Sequence, residues 1–521
     1  MKIVILVLIL LSFVYLFLQS LGTTFQTVEL KNVEQISVFS DVILGTGGHS
    51  LARLIIASFI VLSIFYWSFQ DWRRSLKAIF FILVIEGALR KWFLPQFSEP
   101  LYFLKDFVLL GSYFRYYFFS RSERHYPIKI NFTNTAVWVA SGWCLFQSFN
   151  PYLGSPFVGM LGIKAYLFYI PMIWMLPDLF RSEEEFYIFL RNHLILIIPV
   201  GILGIVQFAS PADSPINQYI PGTQEPVATF GFAGTTRVRI TGTFSYLNSY
   251  QGYLSACFGL FIAMLSYPQT SRWVMITYIA LFFNVINAFM TGSRTPIIAA
   301  ILFLFGFVVI RTIKDPERTL IWLSRLVPFV AVGGSAALIA FRPVIDAFST
   351  RVTSNSDLGE RVSLGFSGPF DFMALTQFDG YGTGSTHAGT ATLRYLLGLP
   401  MGAPIPIEVE PEMGKIALEL GPIGFIFWYG MRVVIIIMLL RTFFNLKRPF
   451  LRDLALAGAL IHTALFIGHM VFHHTFSVYY WFYTGFIFML PWLEQIENWR
   501  SEQQLMQYYD PASYFPPPPH R

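Results

Sequence analysis

Long apolar runs separated by short polar connections dominate the pattern of this sequence. A helix rises about 1.5 Å per residue, so an apolar run of about 17 to 25 residues is long enough to cross a bilayer. The pattern predicts about 12–14 such helices. Their approximate ranges are 3–20, 51–69, 78–94, 101–119, 134–150, 157–180, 188–209, 243–267, 274–291, 295–311, 326–341, 414–440, 453–473 and 475–494. The predicted fold class is an all-α polytopic membrane protein.

The composition supports this fold class. Of the 521 residues, 55% are hydrophobic, 18% aromatic and only 13% charged, and the mean hydropathy is +0.56. A soluble domain does not have this composition, so length priors for soluble domains do not apply. Cys144 and Cys257 both lie in apolar runs. The sequence therefore predicts neither a disulfide framework nor a thiol metal site.

The charge of the connections between the predicted helices indicates on which side of the membrane each connection lies. The basic connections are 70–77, 120–129, 266–273, 310–318 and 441–453. Short basic loops stay on the cytoplasmic side. Fourteen spans then place both termini in the cytoplasm, and every basic connection has the parity that this orientation requires.

Two long loops lie on the opposite, extracytoplasmic face, at about 210–242 and 342–413. We predict four regions along the chain. Residues 1–341 form a transmembrane bundle of about eleven helices. Residues 342–413 form a large loop subdomain, 414–494 the C-terminal transmembrane helices, and 495–521 a cytoplasmic tail.

An arginine stands between two apolar runs in "TGSRTP", residues 291–296. Arg294 is either an interfacial side chain that reaches the headgroups or a ligand for an anion. Arginines in both long outer loops, among them Arg239 and Arg361, favour the anion. The planar guanidinium binds two phosphate oxygens at once and stays charged. A diphosphate at the membrane surface would engage two or three of these side chains.

Five stretches follow one another in an order that resembles a known family. They are "RITGTFSYLNSYQGYL", "TGSRTPIIAAIL", "GERVSLGF", "GYGTGS" and "ELGPIGFIFW". Over about residues 235–440 they resemble the landmarks of the bacterial O-antigen ligase and O-antigen polymerase superfamily. Upstream, "EGALRKWFLP" and "YFLKD" resemble landmarks of its polymerase-like branch.

The resemblance implies a glycosyltransferase of the type-C membrane fold in the bacterial inner membrane, with its active site on the periplasmic face. The donor would be a glycan on undecaprenyl diphosphate, and the acceptor a glycan or a lipid, in the synthesis of O-antigen or exopolysaccharide. By motif, Arg294 and Arg361 would hold the diphosphate, and Arg239 is a weaker match. The resemblance implies no metal and no cofactor. Membrane lipids and a polysaccharide chain-length regulator are the implied partners, and nucleic acid is not.

The acceptor hydroxyl also needs a general base. Ligases of the superfamily carry a histidine eleven residues before the first glycine of G-x-x-G. Counting back from Gly421 gives Glu410, and this departure favours the polymerase side. Glu412 is an alternative base and His387 a weaker one. Each of these three residues also has a structural interpretation. All of them can be ordinary solvated loop residues, and Glu412 can also place a favourable charge at a helix N-terminus.

Ionisable residues also fall inside predicted spans, namely Glu86, Lys105, Asp106 and Lys164. Such residues are functional candidates by default. Glu86 with Lys105 or Lys164 either forms a structural pair between helices or lines a channel for the lipid-linked sugar, and the sequence does not decide between these.

Two further functions stay open. A transporter or flippase of lipid-linked sugars would show internal pseudo-symmetry and a charged path through the membrane. The charges of this sequence concentrate outside, and no repeat is visible. A non-catalytic subunit of an envelope polysaccharide complex would keep the motifs without the chemistry, and the absent ligase histidine leaves this interpretation open.

Overall fold

The computed structural model describes residues 48–119, 125–221, 226–230, 236–340, 342, 367–407, 409–468 and 470–509. The predicted first span and Arg361 lie outside these described residues. Within them the chain is mostly helical, as the apolar runs predicted.

The α-helices of the described part follow the apolar runs. In chain order they are α1 (Gly48–Gln70), α2 (Trp72–Ala88), α3 (Ser98–Tyr102), α4 (Leu104–Phe114), α5 (Phe132–Gln147), α6 (Pro156–Leu167), α7 (Met172–Leu179), α8 (Glu183–Leu194), α9 (Ile197–Ala209), α10 (Leu247–Met264), α11 (Ser271–Met290), α12 (Arg294–Lys314), α13 (Pro316–Ala340), α14 (Thr390–Leu397), α15 (Glu412–Asn445), α16 (Pro449–Ala464) and α17 (His474–Tyr509). Two short strands, β1 (Thr229–Phe230) and β2 (Arg237–Val238), pair antiparallel between α9 and α10.

Polar residues at the ends of the apolar runs begin several helices. The Asp71 carboxylate accepts the Arg74 N–H at 3.0 Å before α2. The Asn131 side chain accepts the Asn134 N–H at 2.8 Å before α5. These side chains satisfy backbone donors that have no partner within a first helical turn. The apolar runs therefore start as helices where a capping residue precedes them.

Five helical segments of the described part are long and apolar enough to cross a membrane. They are Pro156–Leu179, Glu183–Ala209, Ser271–Met290, Arg294–Lys314 and Glu412–Asn445. The first two each contain two helices, α6 with α7 and α8 with α9, where the sequence pattern predicts one continuous span.

Aromatic side chains fill the interior of the bundle. Trp428, Trp481 and Tyr166 are among the largest fully buried side chains, and the Tyr166 ring meets the Trp428 ring edge-on at 5.0 Å. Helices in lipid gain little from the hydrophobic effect between them, so close packing and polar contacts hold them together.

Among the described residues, one end of the bundle gathers the other four quoted motifs of 235–440, and we call it the motif end. Here α11 ends and α12 begins at Arg294, while α15 begins at Glu412. The segment before α10 reaches the same end, because the Ile240 N–H donates to the Met290 carbonyl. The opposite end of the bundle is where α12 ends and α16 begins.

Candidate functional site

Arg294 is the first residue of α12, directly after a tight turn over residues 291–293. Gly292 in this turn has φ +62°, and a Cβ on it would lie 2.9 Å from the ring of Phe230. The Thr291 hydroxyl accepts the Ser293 N–H at 3.2 Å. Glycine at position 292 therefore allows both the left-handed turn and its contact with β1.

Arg239 reaches the same turn from the segment after β2. Its Nε donates to the Thr291 carbonyl at 2.9 Å. Arg239 and Arg294 are both half-buried. The structure therefore brings together two of the three arginines that the sequence singled out, on either side of one turn.

The upstream landmark "EGALRKWFLP" packs onto the "RITGTFS" segment. Lys91 Nζ donates to the Thr241 hydroxyl at 3.1 Å and to the Gly242 carbonyl at 2.9 Å. Arg90 Nη1 donates to the Ser245 hydroxyl at 3.2 Å. Two motifs about 150 positions apart thus form one unit beside the arginine turn.

A glycine makes this approach possible. A Cβ on Gly87 would lie 2.4 Å from the Ser245 nitrogen and 2.4 Å from the Thr243 carbonyl oxygen. Backbone atoms cannot yield by that much, so any larger residue would push α2 away from the segment that precedes α10.

The ionisable residues inside the spans form buried ion pairs. Lys105 Nζ lies 2.8 Å from Glu86 Oε2, and Lys164 Nζ lies 3.2 Å from Asp106 Oδ2. The Tyr169 hydroxyl donates to Asp106 Oδ1 at 2.6 Å. Of the two partners that the sequence left open for Glu86, the structure pairs it with Lys105, and Lys164 pairs with Asp106.

The ring of Tyr102 joins these pairs to the upstream landmark. Arg90 lies 5.1 Å from its centroid, and Lys105 and Lys164 each lie 4.6 Å from it. With Lys91, four basic side chains are buried in this region near the two carboxylates of Glu86 and Asp106.

Glu419 holds a glycine-rich loop, residues 380–389, against α15. Its carboxylate accepts the Gly384 N–H at 3.0 Å, the Thr386 N–H at 2.8 Å and the Thr386 hydroxyl at 2.8 Å. Glu419 is fully buried. Sequence reasoning used this glutamate only as part of a motif and gave it no role, although an acidic residue in an apolar run is itself a signal.

The glycines of the two motifs let the loop approach the helix. Gly421 has φ +66°, and a Cβ on it would lie 2.6 Å from the Gly380 nitrogen. Gly380 has φ +71° and is equally close to Gly421. The "GYGTGS" and "ELGPIG" motifs therefore meet backbone to backbone, and their glycines are needed at the contact.

His387 lies in this loop. Its Nδ1 accepts the Gly389 N–H at 3.0 Å, and its ring lies 6.1 Å from the Phe472 ring. Burial, with Lys164 and Lys415 nearby, lowers the pKa of His387 to about 4, so the ring is neutral near pH 7. In the neutral tautomer assigned from this hydrogen bond, Nε2 carries the proton.

The two glutamate candidates differ in their surroundings. Glu412 is buried, and one of its oxygens accepts the N–H groups of Met470 at 2.6 Å and Val471 at 2.9 Å. Its other oxygen lies 3.9 Å from Arg432 Nη1. Glu410 is exposed, and within the part of the chain that the structure describes it makes no hydrogen bond or ion pair. Only Glu410 offers a carboxylate to a substrate without losing internal bonds.

A family model matches the segment that contains all three candidate arginines. Residues 235–363 match the model of the O-antigen polysaccharide polymerase Wzy. The chain is therefore similar to the Wzy family over about a quarter of its length. No curated protein matches the sequence. Wzy proteins are polytopic membrane proteins and glycosyltransferase-type polymerases of polysaccharide synthesis, so the resemblance that the motifs indicated is confirmed.

The matched Wzy segment ends before the glycine-rich loop and α15. It includes Arg239, Arg294 and Arg361, whereas Glu410, Glu412, His387 and Glu419 lie beyond it. What these later residues do therefore rests on the contacts described above.

Proposed function

We propose that this protein lengthens a cell-surface polysaccharide by transferring a glycan from undecaprenyl diphosphate to the end of a glycan acceptor. The observation that carries the proposal is the pair of arginines, Arg239 and Arg294, on either side of one turn at the motif end. Both belong to the segment that matches the polymerase family.

Arg239 and Arg294 bind the diphosphate in this proposal, and Arg361 of the large loop completes the set. As the glycosidic bond breaks, its electron pair passes to a diphosphate oxygen, where negative charge grows. Fixed cations stabilise this charge more in the transition state than in the ground state. The arginines thereby take the part that a metal ion plays in other transferases.

Glu410 is the proposed general base. It takes the proton of the acceptor hydroxyl while the hydroxyl oxygen forms a bond to the anomeric carbon and the bond from that carbon to the diphosphate breaks. Its exposed position suits contact with a sugar that arrives from water. We assign His387 the role of a donor from Nε2–H to a substrate oxygen, because its Nδ1 already accepts the Gly389 N–H. We assign Glu412 a structural role because its oxygens face backbone donors and Arg432.

We place the motif end on the periplasmic side and both termini in the cytoplasm. The opposite end of the bundle supports this orientation because basic side chains concentrate there. Arg311 pairs with Asp453 at 3.0 Å, and Lys314 Nζ donates to the Phe443 carbonyl at 2.9 Å. Such residues are typical of cytoplasmic loops. A chain-length regulator would then meet the protein on the periplasmic side.

The test is turnover of undecaprenyl-diphosphate oligosaccharide by the purified protein, measured as release of undecaprenyl diphosphate and as glycan length. Arg239→Ala, Arg294→Ala, Arg361→Ala and Glu410→Gln should each lower turnover by a factor of about 10² to 10³. Arg318→Ala is the matched control, since this arginine is exposed at the opposite end and pairs with Asp315. It should keep full turnover.

Two outcomes would overturn the proposal. One is a wild-type protein that releases no undecaprenyl diphosphate but carries the lipid-linked sugar across proteoliposomes, which is the behaviour of a transporter. The other is full turnover by folded Arg239→Ala and Arg294→Ala variants. Turnover that survives removal of divalent ions by a chelator supports the assignment of charge neutralisation to the arginines.

A further inference from the structure

A buried glutamine in the last turn of α9 binds the backbone of the segment that follows Arg239. Gln207 is fully buried. Its Oε1 accepts the Gly242 N–H at 2.8 Å, and its Nε2 donates to the Gly242 carbonyl at 3.2 Å. Facing residues of two antiparallel strands exchange the same pair of bonds. One side chain therefore fixes both the position and the orientation of the backbone at Gly242.

Gly242 turns the chain at a packed place. Its φ of +55° lies in the left-handed region that glycine adopts without a steric cost. A Cβ on it would lie 3.1 Å from the Tyr250 ring and 3.1 Å from the Val200 side chain. Buried backbone groups need partners, and Gln207 supplies one for the N–H and one for the carbonyl of this turn. The geometry of the turn therefore depends on Gln207.

Lys91 binds the same turn and supports Gln207. Its Nζ donates to the Gly242 carbonyl at 2.9 Å and to the Thr241 hydroxyl at 3.1 Å. The Gly242 carbonyl thus accepts two hydrogen bonds, one for each lone pair. Lys91 lies in the segment after α2, and Gln207 belongs to α9. Two separate parts of the bundle therefore hold one turn between them.

Arg239 lies three positions before Gly242, and its main chain is bound on both sides. Its own N–H donates to the Ala228 carbonyl at 2.8 Å, and the chain that follows it is held at Gly242. Its side chain is bound as well, because Nε donates to the Thr291 carbonyl at 2.9 Å. The place of the Arg239 guanidinium therefore depends on the hold at Gly242 as well as on Thr291.

We propose that Gln207 is a positioning residue for Arg239, because its hold on Gly242 fixes where the guanidinium meets the diphosphate. The inference rests on the proposed function, since it gives Gln207 an effect on the reaction only through Arg239. Gln207 itself is bound internally at both amide atoms, with Nε2 also donating to the Ile216 carbonyl at 3.0 Å. A displacement of about 1 Å can lower a rate about 10²-fold, so a residue remote from the reacting atoms still affects turnover.

The test is a double-mutant cycle on turnover of undecaprenyl-diphosphate oligosaccharide by the full-length protein. Gln207→Leu is similar in size and removes both bonds to Gly242. We expect it to lower kcat about tenfold. It should change KM for the donor less than about threefold, because a displaced cation loses mainly transition-state stabilisation. In an Arg239→Ala background the same change should cost less than about twofold, since the group that Gln207 positions is gone.

Asn284→Leu is the matched control. Asn284 is also a buried amide, and it donates to the Leu254 carbonyl at 3.1 Å, a contact between α11 and α10 that does not involve the Gly242 turn. This variant should keep kcat within about twofold of the wild type. A tenfold loss in Asn284→Leu would show that removal of any buried amide has the same effect, and it would overturn the inference.

Gln207→Glu keeps the inference testable if Gln207→Leu does not fold. The carboxylate retains an acceptor for the Gly242 N–H and loses the donor for the Gly242 carbonyl, which Lys91 still binds. This conservative change should therefore lower kcat only about threefold, and the loss should again disappear in the Arg239→Ala background.

The outcomes separate this inference from the proposed function. Equal fold losses from Gln207→Leu in the wild-type and Arg239→Ala backgrounds would overturn the inference, because Gln207 would then act independently of Arg239, and the proposed function would stand. Unchanged kcat in folded Gln207→Leu would overturn it in the same way. Full turnover by a folded Arg239→Ala variant would instead refute the role that the proposed function gives to Arg239, and the inference would fall with it.

Discussion

Glu419 should control the order of the glycine-rich loop. Its carboxylate accepts three hydrogen bonds from Gly384 and Thr386, and it is fully buried. In Glu419→Gln one of the two acceptor oxygens becomes an NH₂ group that faces a donor. At least one backbone N–H then loses its partner.

The magnitude follows from the bonds at risk. A hydrogen bond to a charged group contributes about 1.5–3 kcal/mol, and an unpartnered buried donor costs about 1–3 kcal/mol. Glu419→Gln should therefore destabilise the attachment of the loop by about 2–4 kcal/mol. Thr386→Val removes only the hydroxyl bond and should cost about 1 kcal/mol.

Hydrogen–deuterium exchange measured by mass spectrometry distinguishes a local effect from a global one. In Glu419→Gln, peptides covering residues 380–389 should exchange at least tenfold faster, while peptides from α10 and α16 stay protected. Glu502→Gln, at an exposed position of α17, is the control and should change neither. Unchanged exchange over 380–389 in a folded Glu419→Gln variant would show that the loop does not depend on this carboxylate.

Three further predictions concern the same end of the bundle. Glu86→Gln should lower the free energy of unfolding by about 3–5 kcal/mol, because it leaves Lys105 buried without its partner at 2.8 Å, whereas the double change Glu86→Leu with Lys105→Leu should cost less in the same denaturation assay. Burial lowers the pKa of His387 from 6.5 to about 4, so between these pH values the unfolded chain binds more protons than the folded protein. The stability due to this residue should therefore be complete above pH 6.5 and fall toward pH 4. His387→Asn should flatten that part of the profile of stability against pH. Arg294→Lys should lose most of the turnover that Arg294 supports, since an ammonium group cannot bind two phosphate oxygens in a planar fork, and turnover equal to wild type would show that charge alone suffices.

The helices of this fold could be predicted from the apolar runs to within a few residues. The run at 295–311 became α12 over Arg294–Lys314, because a uniformly apolar segment in a membrane must satisfy its backbone as a helix. The break between α6 and α7 at 168–171 could not be predicted the same way. In a run that is apolar on all sides, periodicity carries no information about an interruption.

The arginine turn was predictable because a charge at the end of an apolar run is costly and needs a reason. Contacts between segments that are distant in sequence could not be predicted. Nothing in "EGALRKWFLP" alone indicates that Lys91 meets Thr241 and Gly242, or that Gly87 packs against Ser245. The roles of the later motifs were hidden for the same reason, since Glu419 and Gly421 act on a loop that lies more than thirty positions earlier.

At the motif end, the residues inside the segment that matches the polymerase family differ in burial and bonding from the residues outside it. The segment matched by the polymerase family supplies cations that stay half-exposed, at Arg239 and Arg294. The residues outside that segment are mostly buried and internally bonded, as Glu419 and Glu412 are. A buried carboxylate with three donors cannot change partners without losing several kcal/mol. Our proposal therefore gives the chemistry to the arginines and to the exposed Glu410 and gives the buried acids structural roles.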